Sequence, residues 1–120
     1  MPQQSPRLNV LSERGNVTVV ELTDRKILDE VNIAQIGEQL KSLVAASKPP
    51  RMVLDFSSVA HMSSSALGML ITLHKRIREE NGQLRLCCIA PAIHEVFVIT
   101  RLNEIFQIHT SREEALTSLS

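Results

Sequence analysis

The residues of this sequence with the clearest chemical potential are three consecutive serines, Ser63, Ser64 and Ser65, which stand just before an apolar helical segment. One serine is enough to cap a helix, because its side-chain oxygen accepts a hydrogen bond from an N–H of the first turn, and Ser63 or Ser64 fits that role. The same turn carries unpaired N–H groups and a partial positive charge of about half a unit. A phosphate brings about 1.5 to 2 negative charges at pH 7, which a helix start tolerates. The serine run is therefore a candidate for a reversible charge switch.

The other reactive residues do not form a recognisable catalytic or metal site. The four histidines are widely separated and lack metal-ligand spacing, so no metal ion is predicted. Cys87 and Cys88 are neighbours in a predicted strand, where they would point to opposite faces and pack as reduced side chains rather than form an ordinary disulfide. The sequence has no glycine-rich nucleotide loop and no GxSxG motif. A hydrolase that pairs the serine run with His61 or His74 is the remaining enzymatic alternative, but no acid–base constellation surrounds it. We therefore predict no catalytic residues, no enzyme activity and no cofactor.

The helix that follows the serines has apolar residues on more than one side. One stripe should face the core, and it comprises Leu67, Leu70, Ile71, His74 and Ile77. The other side carries Met69, Thr72, Leu73 and Arg76. An exposed Met69 and Leu73, with Met62 just before the helix, would form a docking face for a partner. The alternative, which the pattern leaves equally open, is a helix that is simply well buried.

These residues are carried by alternating strands and helices. Gly-Asn at 15–16 lies between two strand-like runs and predicts a hairpin, after a loose polar tail at residues 1–7. Apolar spacing predicts a helix over 31–47, capped by Asp29 or Asn32, and then a central strand at 51–56 and a loop at 57–62. The remaining predicted elements are a helix at 64–81, a strand at 83–89, a helix at 92–100 after Pro91, a strand at 104–109 and a helix opened by Ser111. This order favours a single α/β domain over residues 8–120, with a sheet that is parallel in its second half.

Charge and composition exclude several classes of partner. The 13 basic and 13 acidic residues balance to zero net charge, whereas binding to nucleic acid or to a membrane surface requires a basic excess or stripe. With three Phe and no Tyr or Trp, there is no stacking platform for single-stranded nucleic acid. No apolar run approaches the roughly 18 residues of a membrane span, and the first residues lack the apolar core of a signal peptide. We therefore expect a cytoplasmic protein that binds neither nucleic acid nor membrane.

Three segments of the chain together resemble the STAS domains of bacterial anti-sigma-factor antagonists. VTVVEL followed by KILDEVNIAQIGEQL is similar to the opening strand, Leu-Asp pair and helix of that family. VLDFSSVAHMSSSALGML resembles its central strand, loop and Asp-Ser-Ser-Gly-Leu-Gly motif, and ITRLNEIFQIHTSREEAL resembles its closing segment and last helix. The resemblance runs from about Leu8 to Leu119. It implies a STAS-like α/β domain with a mixed, mostly parallel sheet of about five strands and about four helices.

The resemblance also implies a function and a set of site residues. In the family, an anti-sigma factor with serine kinase activity phosphorylates a serine at the head of the second helix, and the unphosphorylated antagonist binds that kinase and so releases the sigma factor. The phosphorylated serine matches Ser64, with Ser63 and Ser65 as alternates. Ser63 occupies the position of the family's acidic residue, and Ala66 that of its first glycine. The residues expected to contact the partner are Met62, Ser63, Ser65, Gly68, Met69, Thr72, Leu73 and Arg76.

The implied partners are an anti-sigma factor with serine kinase activity and a serine phosphatase. In this case we expect a monomer or weak dimer that regulates transcription. The alternative is a STAS scaffold or regulatory subunit of a larger signalling assembly, without a phosphorylation cycle at this serine. The size of the protein in solution discriminates between the two, because the scaffold would belong to a large assembly.

Overall fold

The computed structural model describes residues 8–13, 17–46 and 48–119, and the predicted tail and hairpin turn lie outside these ranges. The strands are β1 (Leu8–Glu13), β2 (Val17–Leu22), β3 (Lys26–Ile27), β4 (Arg51–Asp55), β5 (His61–Met62), β6 (Gln83–Cys87) and β7 (Gln107–His109). The helices are α1 (Glu30–Ala46), α2 (Ser64–Glu79), α3 (Pro91–Ile99) and α4 (Arg112–Leu119), with a short 3₁₀ helix at Leu102–Glu104. None of these helices combines the length and the apolar character that crossing a membrane requires.

Five of the strands form one mixed sheet in the order β1-β2-β4-β6-β7. β1 runs antiparallel to β2, and the other three pairs are parallel. Helices α1, α2 and α3 connect the successive parallel strands, because a parallel pair needs a long crossover. The predicted class, an α/β domain with four helices and a mostly parallel five-stranded sheet, is confirmed.

The sheet carries apolar side chains on both faces, because successive residues of a strand alternate in direction. The larger core lies between the sheet and helices α1, α2 and α3. The smaller core lies under α4 and consists of Val17, Val19, Val53, Cys87, Ala115, Leu116 and Leu119. β4 is buried from Met52 to Asp55, as its continuous apolar run predicts for a central strand.

Two local features differ from the sequence prediction. The loop predicted at 57–62 ends in β5, which pairs in parallel with β3; strands of two residues carry too little periodicity to be predicted. The last strand begins at Gln107 instead of 104, because the chain first passes through the 3₁₀ helix and buries Phe106. The Phe106 ring packs edge-on against Phe97 and His74, with centroids 5.9 and 5.2 Å away.

The adjacent cysteines do not point to opposite faces, so that expectation is wrong. β6 ends at Cys87, and Cys88 adopts a positive φ of 63°. As a result, both side chains pack in the smaller core under α4. Both thiols are free, with Cys87 buried and Cys88 half-buried. Burial raises the pKa of the Cys87 thiol, which therefore stays protonated near neutral pH and fits a packing role.

Candidate functional site

The serine run lies where β5 passes into α2. The backbone N–H of Ser63 donates to the carbonyl of Ile27 in β3 over 3.1 Å. Met62, the last residue of β5, is half-buried and packs against the larger core. The β3–β5 pair therefore fixes the start of α2 relative to the rest of the domain.

The three serine hydroxyls have different surroundings. Ser63 is the N-cap: its backbone is extended, and its Oγ accepts the N–H of Ala66 over 3.2 Å. Ser65 donates its hydroxyl to Glu30 Oε2 over 2.9 Å, which links the starts of α2 and α1. Ser64 is exposed, and its hydroxyl has no hydrogen-bond partner among the residues that the structure describes. Of the three serines, Ser64 has the oxygen that is not already engaged.

The start of α2 is suited to receive a negative charge. Its first turn contains no acidic residue, so the partial positive charge of this helix end is not neutralised from within the helix. Within the described ranges no hydroxyl of the run bonds to a histidine, and His74 contacts the ring of Phe106 instead. The arrangement fits the acceptor of a phosphate better than a nucleophile held by its base.

The predicted division of the α2 faces is wrong at Leu73. This side chain is only 4% exposed and belongs to the larger core. The buried positions of α2 are Ala66, Leu70, Leu73 and Ile77, which share one face of the helix. Leu67, Ile71 and His74, which were expected in the core, are half-buried. The buried stripe is rotated from its predicted position because α1 packs beside α2 on the Leu73 side.

A groove of about 300 Å³ lies between α1 and α2 and begins at the serine run. Six of the eight residues predicted to bind a partner line it, namely Ser65, Gly68, Met69, Thr72, Leu73 and Arg76. Gly37 of α1 permits the close approach of the two helices, because a Cβ at this position would lie 3.3 Å from Met69 Cγ. Met69 is half-buried here, whereas Gly68, Thr72 and Arg76 are exposed. The structure thus brings most of the predicted residues to one surface.

Sequence reasoning missed the contribution of α1 to this groove. The α1 residues that line it are Glu30, Ile33, Ala34, Gly37, Glu38, Leu40 and Lys41. Gly37 did carry a signal, because a glycine in the interior of a helix often marks a close packing contact. Glu30 carried no such sequence signal, since its contact with Ser65 joins residues that are 35 positions apart in the chain.

A polar cluster lies on the opposite face of the sheet, under α4. Arg112 of α4 pairs with Asp55 of β4 over 2.8 Å and with Glu21 of β2. Burial alone would raise the pKa of Asp55, but the hydrogen bonds from Ser57 and Arg112 outweigh it and lower the pKa below its usual value. These ion pairs tie α4 to two strands of the sheet.

The same cluster contains one group of side chains that could ligate a metal ion. Among the described residues, the ligand atoms of Asp55, Cys87 and Cys88 lie within 4.8 Å of one another. Both oxygens of Asp55 already accept hydrogen bonds from the protein, however, and the Arg112 guanidinium lies against the carboxylate. The cluster therefore fits a structural role.

Comparison with known proteins agrees with the fold. The family model of the STAS domain matches residues 10–115. BtrV of Bordetella bronchiseptica, which its name assigns to the anti-sigma factor antagonists, is 32% identical over 89 residues, or 74% of this chain and 76% of that protein. The chain therefore belongs to the STAS domain family.

Two solved structures have the same fold. An anti-sigma-factor antagonist (STAS) domain protein from Planctomyces limnophilus aligns with a TM-score of 0.83 and 24% identity, over 92% of this chain and 96% of that one. The Bacillus cell fate determinant SpoIIAA, in its phosphorylated form, aligns with a TM-score of 0.70 and 16% identity, over 94% of this chain and 99% of that one.

Proposed function

We propose that this STAS domain is an anti-sigma factor antagonist that binds an anti-sigma factor with serine kinase activity, and that phosphate on Ser64 switches the binding off. Sequestration of the anti-sigma factor frees a sigma factor and so regulates transcription, and a serine phosphatase restores the binding form. The names of the similar proteins from Bordetella bronchiseptica and Planctomyces limnophilus support the antagonist role. One observation carries the assignment to Ser64: its hydroxyl is exposed and free among the described residues, between two serines whose oxygens are engaged.

Phosphate transfer to Ser64 requires only an accessible oxygen. Ser64 Oγ attacks the terminal phosphorus of ATP held by the kinase, ADP leaves, and the hydroxyl proton passes to a base of the kinase. The same reaction at Ser63 would remove the cap of α2, which is worth about 1 kcal/mol. Ser64 can be modified without loss of a described contact. SpoIIAA, which has the same fold, has been solved in a phosphorylated form, and this supports a phosphorylation cycle.

Phosphate on Ser64 would change the surface and leave the fold intact. In the free protein the added charge lies at the positive end of α2, which favours it by about 0.3 to 1 kcal/mol. In the complex the partner would cover this position and remove its water, and a buried charge without a counter-ion costs several kcal/mol. Each 1.4 kcal/mol changes the affinity about tenfold. The phosphate would therefore leave the free protein stable but lower its affinity for the partner.

The groove between α1 and α2 is the proposed docking surface for the partner. It begins beside the serine run, and its wall includes the half-buried Met69, with Arg76 exposed in the same lining. A partner that places apolar side chains in the groove would reach the surface around Ser64. Leu73 would support this surface from below, because it is buried. Met62 and Ser63 would hold the start of the helix in place. Met62 ends β5, which pairs with β3, and Ser63 bonds to Ile27 and caps α2.

Mass spectrometry of the protein purified from its native host tests the site. We expect one added phosphate on Ser64, which a serine phosphatase removes. Ser64→Ala should lose it, and Ser58→Ala, at an exposed serine in the preceding loop, should retain it. Phosphate found only on another residue would contradict the assignment. Gel filtration separates the alternatives, because the antagonist should run as a monomer or weak dimer and the scaffold in a large assembly.

A further inference from the structure

We propose that Glu30 restricts the phosphate to Ser64 by excluding negative charge from Ser65, an inference that rests on the proposed phosphorylation of the serine run. Ser64 and Ser65 are adjacent, exposed, and both lie in the first turn of α2. The partial charge of the helix end favours a phosphate at either position. What distinguishes the two serines is the hydrogen bond that Ser65 makes with α1.

The start of α1 leaves the Glu30 carboxylate free to reach α2. Asp29, the residue before it, uses its own carboxylate to accept the N–H of Val31 over 3.4 Å and so caps α1. Glu30 is the first residue of the helix, and its Oε2 accepts the Ser65 hydroxyl over 2.9 Å. Among the described residues no cation forms an ion pair with Glu30. Its negative charge therefore faces Ser65 without a neighbouring counter-ion from this part of the chain.

A phosphate on Ser65 would turn this attraction into repulsion. The transfer removes the proton that Ser65 donates and places about 1.5 to 2 negative charges beside a carboxylate. Glu30 would have to swing away, and the link between the two helix starts would be lost. Ser64 makes no hydrogen bond to Glu30, and its side chain is rotated by about 100° around the helix from that of Ser65. A phosphate on Ser64 therefore leaves the link intact.

A double-mutant cycle tests the charge exclusion without a kinase. Ser64→Asp and Ser65→Asp each place one fixed negative charge in the first turn of α2. Glu30→Gln removes the negative charge of the Glu30 side chain but keeps an oxygen that can accept a hydrogen bond. With Glu30 present, we expect the melting temperature of Ser65→Asp to lie about 2 to 4 °C below that of Ser64→Asp. When Glu30→Gln is added to both variants, this difference should fall below about 1 °C. Salt should narrow the gap, because exposed charges are screened.

Glu38→Gln is the matched control for this cycle, because it removes an exposed carboxylate from the same helix. This substitution should leave the gap between the two aspartate variants unchanged. Equal melting of the two aspartate variants, or a gap that survives Glu30→Gln, would overturn the proposal.

Phosphate mapping then separates this inference from the proposed function. The full chain is incubated with native-host lysate and ATP, and the modified serines are identified by mass spectrometry. We expect phosphate on Ser64 alone in the native protein, and an additional form with phosphate on Ser65 in Glu30→Gln. An unchanged distribution, or phosphate on Ser65 of the native protein, would overturn the role of Glu30 and leave the switch in place. No phosphate on any of the three serines would overturn the switch itself, whatever the melting cycle shows about Glu30.

Discussion

A fixed negative charge at Ser64 should weaken the affinity of this protein for a partner without lowering its stability. Ser64 is exposed and lies in the first turn of α2, where an aspartate faces unpaired N–H groups. Ser64→Asp should therefore leave the free energy of unfolding unchanged or raise it by about 0.3 to 1 kcal/mol. Ser64→Ala should change it little, because the hydroxyl has no hydrogen-bond partner among the described residues.

The expected effect on binding is much larger. Ser64 adjoins the groove, whose lining begins at Ser65, so a partner seated there would cover the new carboxylate. An unpaired charge that is buried in this way costs about 2 to 4 kcal/mol, which weakens binding roughly 30- to 1,000-fold. Aspartate carries less charge than phosphate, so the lower end of this range is expected for Ser64→Asp. Ser64→Ala should keep its affinity within about threefold, since it removes a neutral group.

Titration calorimetry of both variants against the cognate anti-sigma factor measures these affinities, and thermal melts give the stabilities. Asn103→Asp is a suitable control, because it adds one negative charge at an exposed position of the 3₁₀ helix, outside the groove. Equal affinities for the native, alanine and aspartate forms would refute the reasoning. The serine run would then not gate the interface, and the scaffold alternative would be favoured.

Three further substitutions test the helix faces and the ion pairs. Leu73→Glu should destabilise the fold by about 3 kcal/mol or more, because it buries a charge. Met69→Glu, in contrast, should fold and bind the partner weakly. A Leu73→Glu variant that is stably folded in circular dichroism melts would contradict the burial described for this residue. Arg112→Met should cost about 2 to 4 kcal/mol at pH 7, because it leaves the buried Asp55 without its cation. The folded-state pKa of Asp55 is lowered, so its contribution is present above the unfolded pKa of about 4 and is lost as the pH falls through the folded pKa. The deficit of Arg112→Met in urea unfolding should therefore shrink toward pH 3, and a constant deficit would count against this ion pair.

The helix starts could be predicted from the sequence because their causes are local. Asp29, Ser63 and Ser111 each accept a backbone N–H within the next three residues, and these contacts need no knowledge of the rest of the fold. The alternation of strands and helices is local in the same sense, and it was sufficient to predict an α/β domain whose sheet is parallel in its second half.

The faces of α2 could not be predicted in this way. Leu67, Ile71 and Leu73 have similar hydrophobicity, and the helix contacts both the sheet and α1. The position of α1 decides that Leu73 is buried and that the other two are only half-buried. The bond between Glu30 and Ser65 is non-local for the same reason, and it became visible only when both helices were in place.

The parallel sheet has a consequence for the order of events during folding. Its central pairs join residues that are far apart in the chain, such as Val19 with Val53, and Val53 with Arg85. Pairs of this kind form slowly, because a long loop must close before the contact is made. Helix α2 is the crossover between β4 and β6, and its start is held by the β3–β5 pair, so the helix takes its final position only when these strands have paired. In a partly folded chain Ser64 therefore lacks the ordered helix end and the groove beside it, and the proposed switch would become available only when the domain has folded.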